Sequence, residues 1–148
     1  MWLYKCKEIS DVSEMPENCY GFVYEISTSE GKKYIGRKVL FSKTKRKFGK
    51  REAAQIEDKR KKLWEWVIKE SNWKTYTGSN KELNKDIENG VLILKQILHF
   101  AYNKKHLNYL ETKELFVQEV LEKPDEYYNS NISGKFYHKD TLNITTED

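Results

Sequence analysis

The stretch that most limits what this chain can fold into is residues 19–41, CYGFVYEISTSEGKKYIGRKVLF. Two runs dense in aromatic and β-branched residues, Cys19–Ser27 and Tyr34–Phe41, flank a short polar turn, which is the pattern of paired strands. Gly31 can take the positive φ that a hairpin end often requires. A connection this short makes the pair antiparallel, and the rest of the chain must pack around it.

Ser42–Arg51 has no apolar periodicity and contains Gly49, so it reads as a loop. From Glu52 the residues Ile56, Leu63, Trp64, Val67 and Ile68 recur at helical spacing, which predicts a helix running to about Ser71-Asn72. The piece WKTYTGS is extended. Ser79, with Glu82 three residues on, fits a capping box, and Asn89-Gly90 is the matching stop. Val91–Phe100 is the most apolar run and suits a buried strand. Asn103 caps a long helix, Lys104–Glu122, ended by Pro124. The opening WLYKCKEI alternates weakly and reads as a strand or a tether. The sum is an α/β fold: a small, mainly antiparallel β-sheet flanked by helices. It forms one domain over 1–148, with a basic loop-and-helix insertion at about 42–70.

Charge is distributed unevenly. Residues 32–62 hold fourteen Lys or Arg against three acids, a net +11, so the remainder carries −7 within an overall +4. Such a block is either a solvated segment or a surface that meets phosphates. No run approaches the ~18 apolar residues of a membrane helix, and the N-terminus lacks a secretory layout. These features predict a cytoplasmic protein with no membrane partner. Cys6 and Cys19 have neither a zinc nor a redox spacing and read as reduced thiols.

The segments YGFVYEI…GKKYIGRK, SNWKTYTGSNKEL and LNYLETKEL, in that order, resemble the GIY-YIG nucleases, most closely those of tailed bacteriophages. The likeness covers roughly residues 20 to 132. The YIG half is intact; in the first half Phe22 stands where glycine is expected, with Gly21 one residue early. The resemblance implies an endonuclease that hydrolyses phosphodiester bonds in DNA with one divalent ion, Mg²⁺ or Mn²⁺, and a site in the host bacterial cytoplasm. RNA stays open as a substrate, as does the choice between monomer and homodimer.

By the same resemblance Tyr34 is the general base and Tyr24 orients water or phosphate. A free phenol has a pKa near 10, so only ~0.1% is phenolate at neutral pH. Lys38 shares the Tyr34 face of its strand, with Gly36 between them, and a cation there would lower that pKa. The catalytic cation is Arg46, Lys38 or Lys43; Arg46 brings a planar fork suited to two phosphate oxygens. The metal ligand is a carboxylate on the apolar side of the last helix, Glu111 ahead of Glu114. Asn129 resembles the asparagine that closes this fold's site. Arg37, Lys45, Lys47, Lys50, Arg51 and Arg60 are candidate nucleic-acid contacts. Trp64 and Trp66, two apart on the expected helix, would point in different directions. The alternatives are a non-catalytic nucleic-acid-binding module that keeps the fold, and an interaction protein whose basic segment meets an acidic partner.

Overall fold

The computed structural model describes residues 1–58 and 62–142. Arg60, one of the expected contacts, lies outside the described residues. The centre is a five-stranded sheet built from β1 (Trp2–Tyr4), β2 (Lys7–Ile9), β3 (Gly21–Thr28), β4 (Lys33–Val39) and a later strand, Ile93–Ala101. Its spatial order is β2, β1, the later strand, β3, β4. All pairings are antiparallel except that of β1 with Ile93–Ala101. The mainly antiparallel α/β class expected from the sequence is therefore the one observed.

The β3–β4 hairpin forms as predicted. Gly31 has φ +88°, and the Thr28 N–H donates to the Lys32 carbonyl at 2.8 Å across the turn. β3 is buried along nearly its whole length because it has strands on both sides and packing on both faces. Phe22, Tyr24 and Ile26 go to one face, with Trp2, Trp73 and Leu83; Val23 goes to the other, with Leu107, Leu115 and Leu121.

The largest departure is in the insertion. Instead of a loop followed by a helix, Phe41–Lys47 is β5 and Trp64–Glu70 is β6, paired antiparallel in a separate two-stranded sheet. Among the described residues there, only Lys50–Ala54 is helical (α1). Trp64, Trp66 and Ile68 satisfy a period of two as well as Leu63, Trp64 and Val67 satisfy a period of 3.6. Aromatic and β-branched residues tip the balance once a partner strand satisfies the backbone.

The second helix, α2, spans Lys81–Glu88 and stops at Asn89-Gly90 as expected. Its N-cap is Asn80, whose Oδ1 accepts from the Leu83 N–H at 2.9 Å, and not Ser79. The apolar run is β7 (Ile93–Ala101) and is followed by α3 (Lys104–Val117), capped by Asn103. Helix α3 ends five residues earlier than the expected Glu122, where Glu119 takes a φ of +55°. Short strands β8 (Asn131–Ile132) and β9 (Phe136–Tyr137) follow. Among the described residues no helix is long and apolar enough to cross a membrane.

Candidate active site

β4 is an edge strand, and its free edge is covered by the segment leading to β8. The Lys33 N–H donates to the Glu126 carbonyl at 2.9 Å, and the Tyr128 N–H to the Lys33 carbonyl at 2.8 Å. Asn129 completes the seal: its Oδ1 accepts from the Ile35 N–H at 3.0 Å and its Nδ2 donates to the Ile35 carbonyl at 2.8 Å. A side-chain amide thereby replaces one unit of a missing strand.

Beside this seal lies a cavity of about 300 Å³ lined by Tyr34, Ser79, Asn80, Glu111, Asn129 and Asn131 among others. Its walls come from β4, the start of α2, α3 and β8. Strand alternation sends Tyr34 to one face of the sheet, while α3 covers the other. An edge strand lets side chains from both faces meet around its rim, and this is how Glu111 comes to share a cavity with Tyr34.

Burial pushes the Tyr34 phenol above its ordinary pKa; a hydrogen bond with Ser79 works against that, and the carboxylate of Glu111 adds to it. The expectation that Lys38 would lower this pKa is not met. The Lys38 ammonium instead lies 4.0 Å from the ring centroid of Tyr76. Ser79 is free to reach Tyr34 because Asn80 has taken over the cap, a switch of one residue with no signal in the spacing.

Tyr24 is 1% exposed and does not line the cavity; burial raises its pKa strongly, and it is hydrogen-bonded with Tyr76. It stands directly opposite Gly36 in the sheet register. A Cβ at Gly36 would fall 2.5 Å from the Tyr24 hydroxyl oxygen, and one at Gly78 2.9 Å from a ring carbon of Tyr34. The two glycines make the room in which both phenols sit.

Glu111 is partly buried, which raises its carboxyl pKa, while Arg37 pulls the other way. The Arg37 Nη1 lies 3.9 Å from the Glu111 Oε1 and donates to the Oδ1 of Asn108. Glu114 is engaged elsewhere: its carboxylate meets the Nε2 of His99 at 2.8 Å and accepts from the Gln118 side-chain amide, Nε2, at 2.6 Å. Of the two carboxylates weighed from the sequence, Glu111 is the one in the cavity.

The expected cations are not brought there. Arg46 and Lys43 stand on β5, and Arg46 is held by Glu52 and Glu65 at 2.8 and 2.6 Å. Lys45, Lys47, Lys50 and Arg51 are exposed residues of the same insertion. Arg37, read from the sequence as a substrate contact, is the cation beside Glu111. Its place directly after YIG, on the face toward α3, was the available signal.

An edge-strand tyrosine from a YIG motif, a lone helix carboxylate across a polar cavity and an asparagine seal together define a GIY-YIG domain, a nuclease-type domain whose substrate class is nucleic acid. The chain belongs to that family: residues 2–132 match the family model described as "Putative endonuclease segE, GIY-YIG domain". No curated protein and no solved structure matches the chain.

Proposed function

We propose that this protein is a phage-encoded, divalent-metal-dependent endonuclease acting on DNA in the cytoplasm of a bacterial host, with all of 1–148 forming one domain. Tyr34 is the general base and Glu111 the metal ligand. The observation that carries this reading is the convergence of Tyr34 and Glu111, 77 positions apart in the chain, on one polar cavity.

The donors suit a hard ion. Mg²⁺ keeps several waters and needs only one or two protein carboxylates, and Glu111 sits among the oxygen-bearing side chains of Ser79, Asn80 and Asn131. Burial raises its pKa, so proton release and cation binding are coupled there. A divalent ion held by Glu111, Mg²⁺ or Mn²⁺, would polarise the scissile phosphate and stabilise charge on the leaving oxygen.

Tyr34 receives the proton of the attacking water as phenolate. Its burial and the nearby Glu111 charge keep it protonated at rest; the Ser79 hydrogen bond favours the reactive form. Arg37, at the rim beside Glu111, has the planar fork that suits two phosphate oxygens and is the best-placed cation for the scissile group. Lys38, stacked on Tyr76, supplies positive potential on the opposite side of β4. Tyr24 acts through the packing of Gly36 and Tyr34 more than through contact with the substrate.

Cleavage of a supercoiled plasmid in Mg²⁺ or Mn²⁺, against EDTA, tests the proposal. Wild type should cut; Tyr34→Phe and Glu111→Ala should each lose at least about 100-fold, within the range of removing an acid–base group. Salt-sensitive binding without cleavage by wild type would instead favour a non-catalytic binding module.

A further inference from the structure

The β5–β6 arm is a sheet of its own, and all of its strand residues except Ser42 and Trp64 are exposed. Register sets Lys43 opposite Ile68, Lys45 opposite Trp66 and Lys47 opposite Trp64, so these six share one face. There the two indoles meet edge to face, with centroids 5.0 Å apart. The Lys43 ammonium lies 4.6 Å from the Trp66 ring, and those of Lys45 and Lys62 lie 4.4 and 4.7 Å from Trp64.

The two faces differ in charge balance. On the opposite face Arg46 is neutralised by Glu52 and Glu65. On the Lys–Trp face the strands supply one acid, Glu70 at the arm's base, and it accepts from the Trp73 Nε1 at 2.9 Å. A face of lysines laid over exposed aromatic rings complements a polyanion that also carries flat apolar groups. Lysines that swing out to phosphates leave ring faces open for sugars and for the base edges exposed in a groove. A two-stranded ribbon also has the width that the major groove of a duplex admits.

The arm is anchored to the strand that carries Tyr34. The Ser71 N–H donates to the Leu40 carbonyl at 2.8 Å, and the Ser71 hydroxyl to the Val39 carbonyl at 2.6 Å. From this geometry we infer that the Lys43–Lys45–Lys47 and Trp64–Trp66 face of the arm is a DNA-docking ribbon, seated on the duplex and aligning it with the Tyr34 cavity. The inference rests on the nuclease reading for the purpose of that alignment, but the docking itself can be measured without catalysis.

Trp2 and Trp73 are buried, 1% and 0% exposed, so quenching of tryptophan emission by an added ligand reports on the arm. A fluorescein-free 20-base-pair duplex, titrated in EDTA, should quench that emission, with a labelled duplex giving the same midpoint by anisotropy. Lys43→Ser/Lys45→Ser/Lys47→Ser should weaken binding at least about tenfold. It should also reduce the log–log salt slope by about 2.7, at ~0.9 per lost phosphate contact. Trp64→Leu/Trp66→Leu should weaken binding about tenfold with the slope unchanged, because the lost ring contacts are not ionic. Circular dichroism checks that both variants fold.

Unchanged emission on duplex addition, or an unaltered affinity and slope in the lysine variant, overturns the inference. Equal competition by poly-glutamate overturns it too, in favour of an acidic protein partner. Cleavage that depends on Tyr34 and Glu111 but ignores arm substitutions would sink the ribbon alone. Arm-dependent binding with no cleavage in Mg²⁺ or Mn²⁺ would sink the nuclease reading alone.

Discussion

At the scale of single residues, the site depends on a missing methyl group. Gly36 faces Tyr24 across the sheet, and a Cβ there would meet the Tyr24 hydroxyl oxygen at 2.5 Å and a Tyr34 ring carbon at 3.1 Å. Tyr24 is held by Trp2 and Tyr76 and cannot retreat cheaply. Gly36→Ala should therefore cost about 1–3 kcal/mol of stability, the usual penalty of overpacking, read by chemical denaturation. Lys95 makes a different point. It is 6% exposed, its ammonium lies 4.2 Å from the Trp2 ring centroid, and burial lowers its pKa to about 8 from 10.5. The folded state thus binds fewer protons than the unfolded state between those values, and stability rises with pH there. The urea midpoint of wild type should gain on that of Lys95→Met between pH 8 and 10; a constant difference would mean that Lys95 titrates normally.

At the scale of elements, the edge position of β4 decides what the site can be. A buried central strand would have kept Tyr34 and Glu111 on opposite sides of the sheet. The edge lets α3 reach around, but it also leaves backbone groups in need of partners. Asn129 supplies two of them through Ile35. Asn129→Ala should cost about 1–3 kcal/mol, the penalty for leaving partly buried backbone groups unpaired. It should also speed hydrogen exchange at the Ile35 amide selectively over the β3 amides. A uniform change across the sheet would argue against a local seal. The chain Tyr127–Gln118–Glu114–His99, with links of 2.8, 2.6 and 2.8 Å, ties the same segment to α3 and β7.

At the scale of the whole molecule, one cavity carries one Tyr34 and one Glu111. On the proposed nuclease reading a single such centre would cut one strand per encounter, so nicked circles should accumulate before linear plasmid, with both rates linear in protein concentration. Linear product appearing without a nicked intermediate would require two centres acting together, and a homodimer. The basic arm bears on the same assay: binding through phosphates weakens steeply with salt, so nicking at limiting protein should fall with ionic strength while the rate at saturation changes little.

The sequence by itself determined the β3–β4 hairpin, the caps at Asn103 and Asn89-Gly90, and the mainly antiparallel α/β class. Each of these is set by local turn chemistry or by an unambiguous period. It also carried the YIG tyrosine and a carboxylate on the helix that lines the same cavity, since both stand in recognisable local surroundings. The tertiary structure decided the rest. Residues 64–70 satisfy two periodicities at once, and pairing with β5, 17 or more positions earlier, is what made them a strand. Trp64 and Trp66 consequently share a face that helical spacing would have split. The choice of Asn80 over Ser79 as the cap, and with it the Ser79–Tyr34 contact, depended on neighbours from Tyr128 and β4. The meeting of Arg37, Glu111 and Tyr34 followed from β4 lying at an edge, which is a property of strand order and is written in no single segment of the chain.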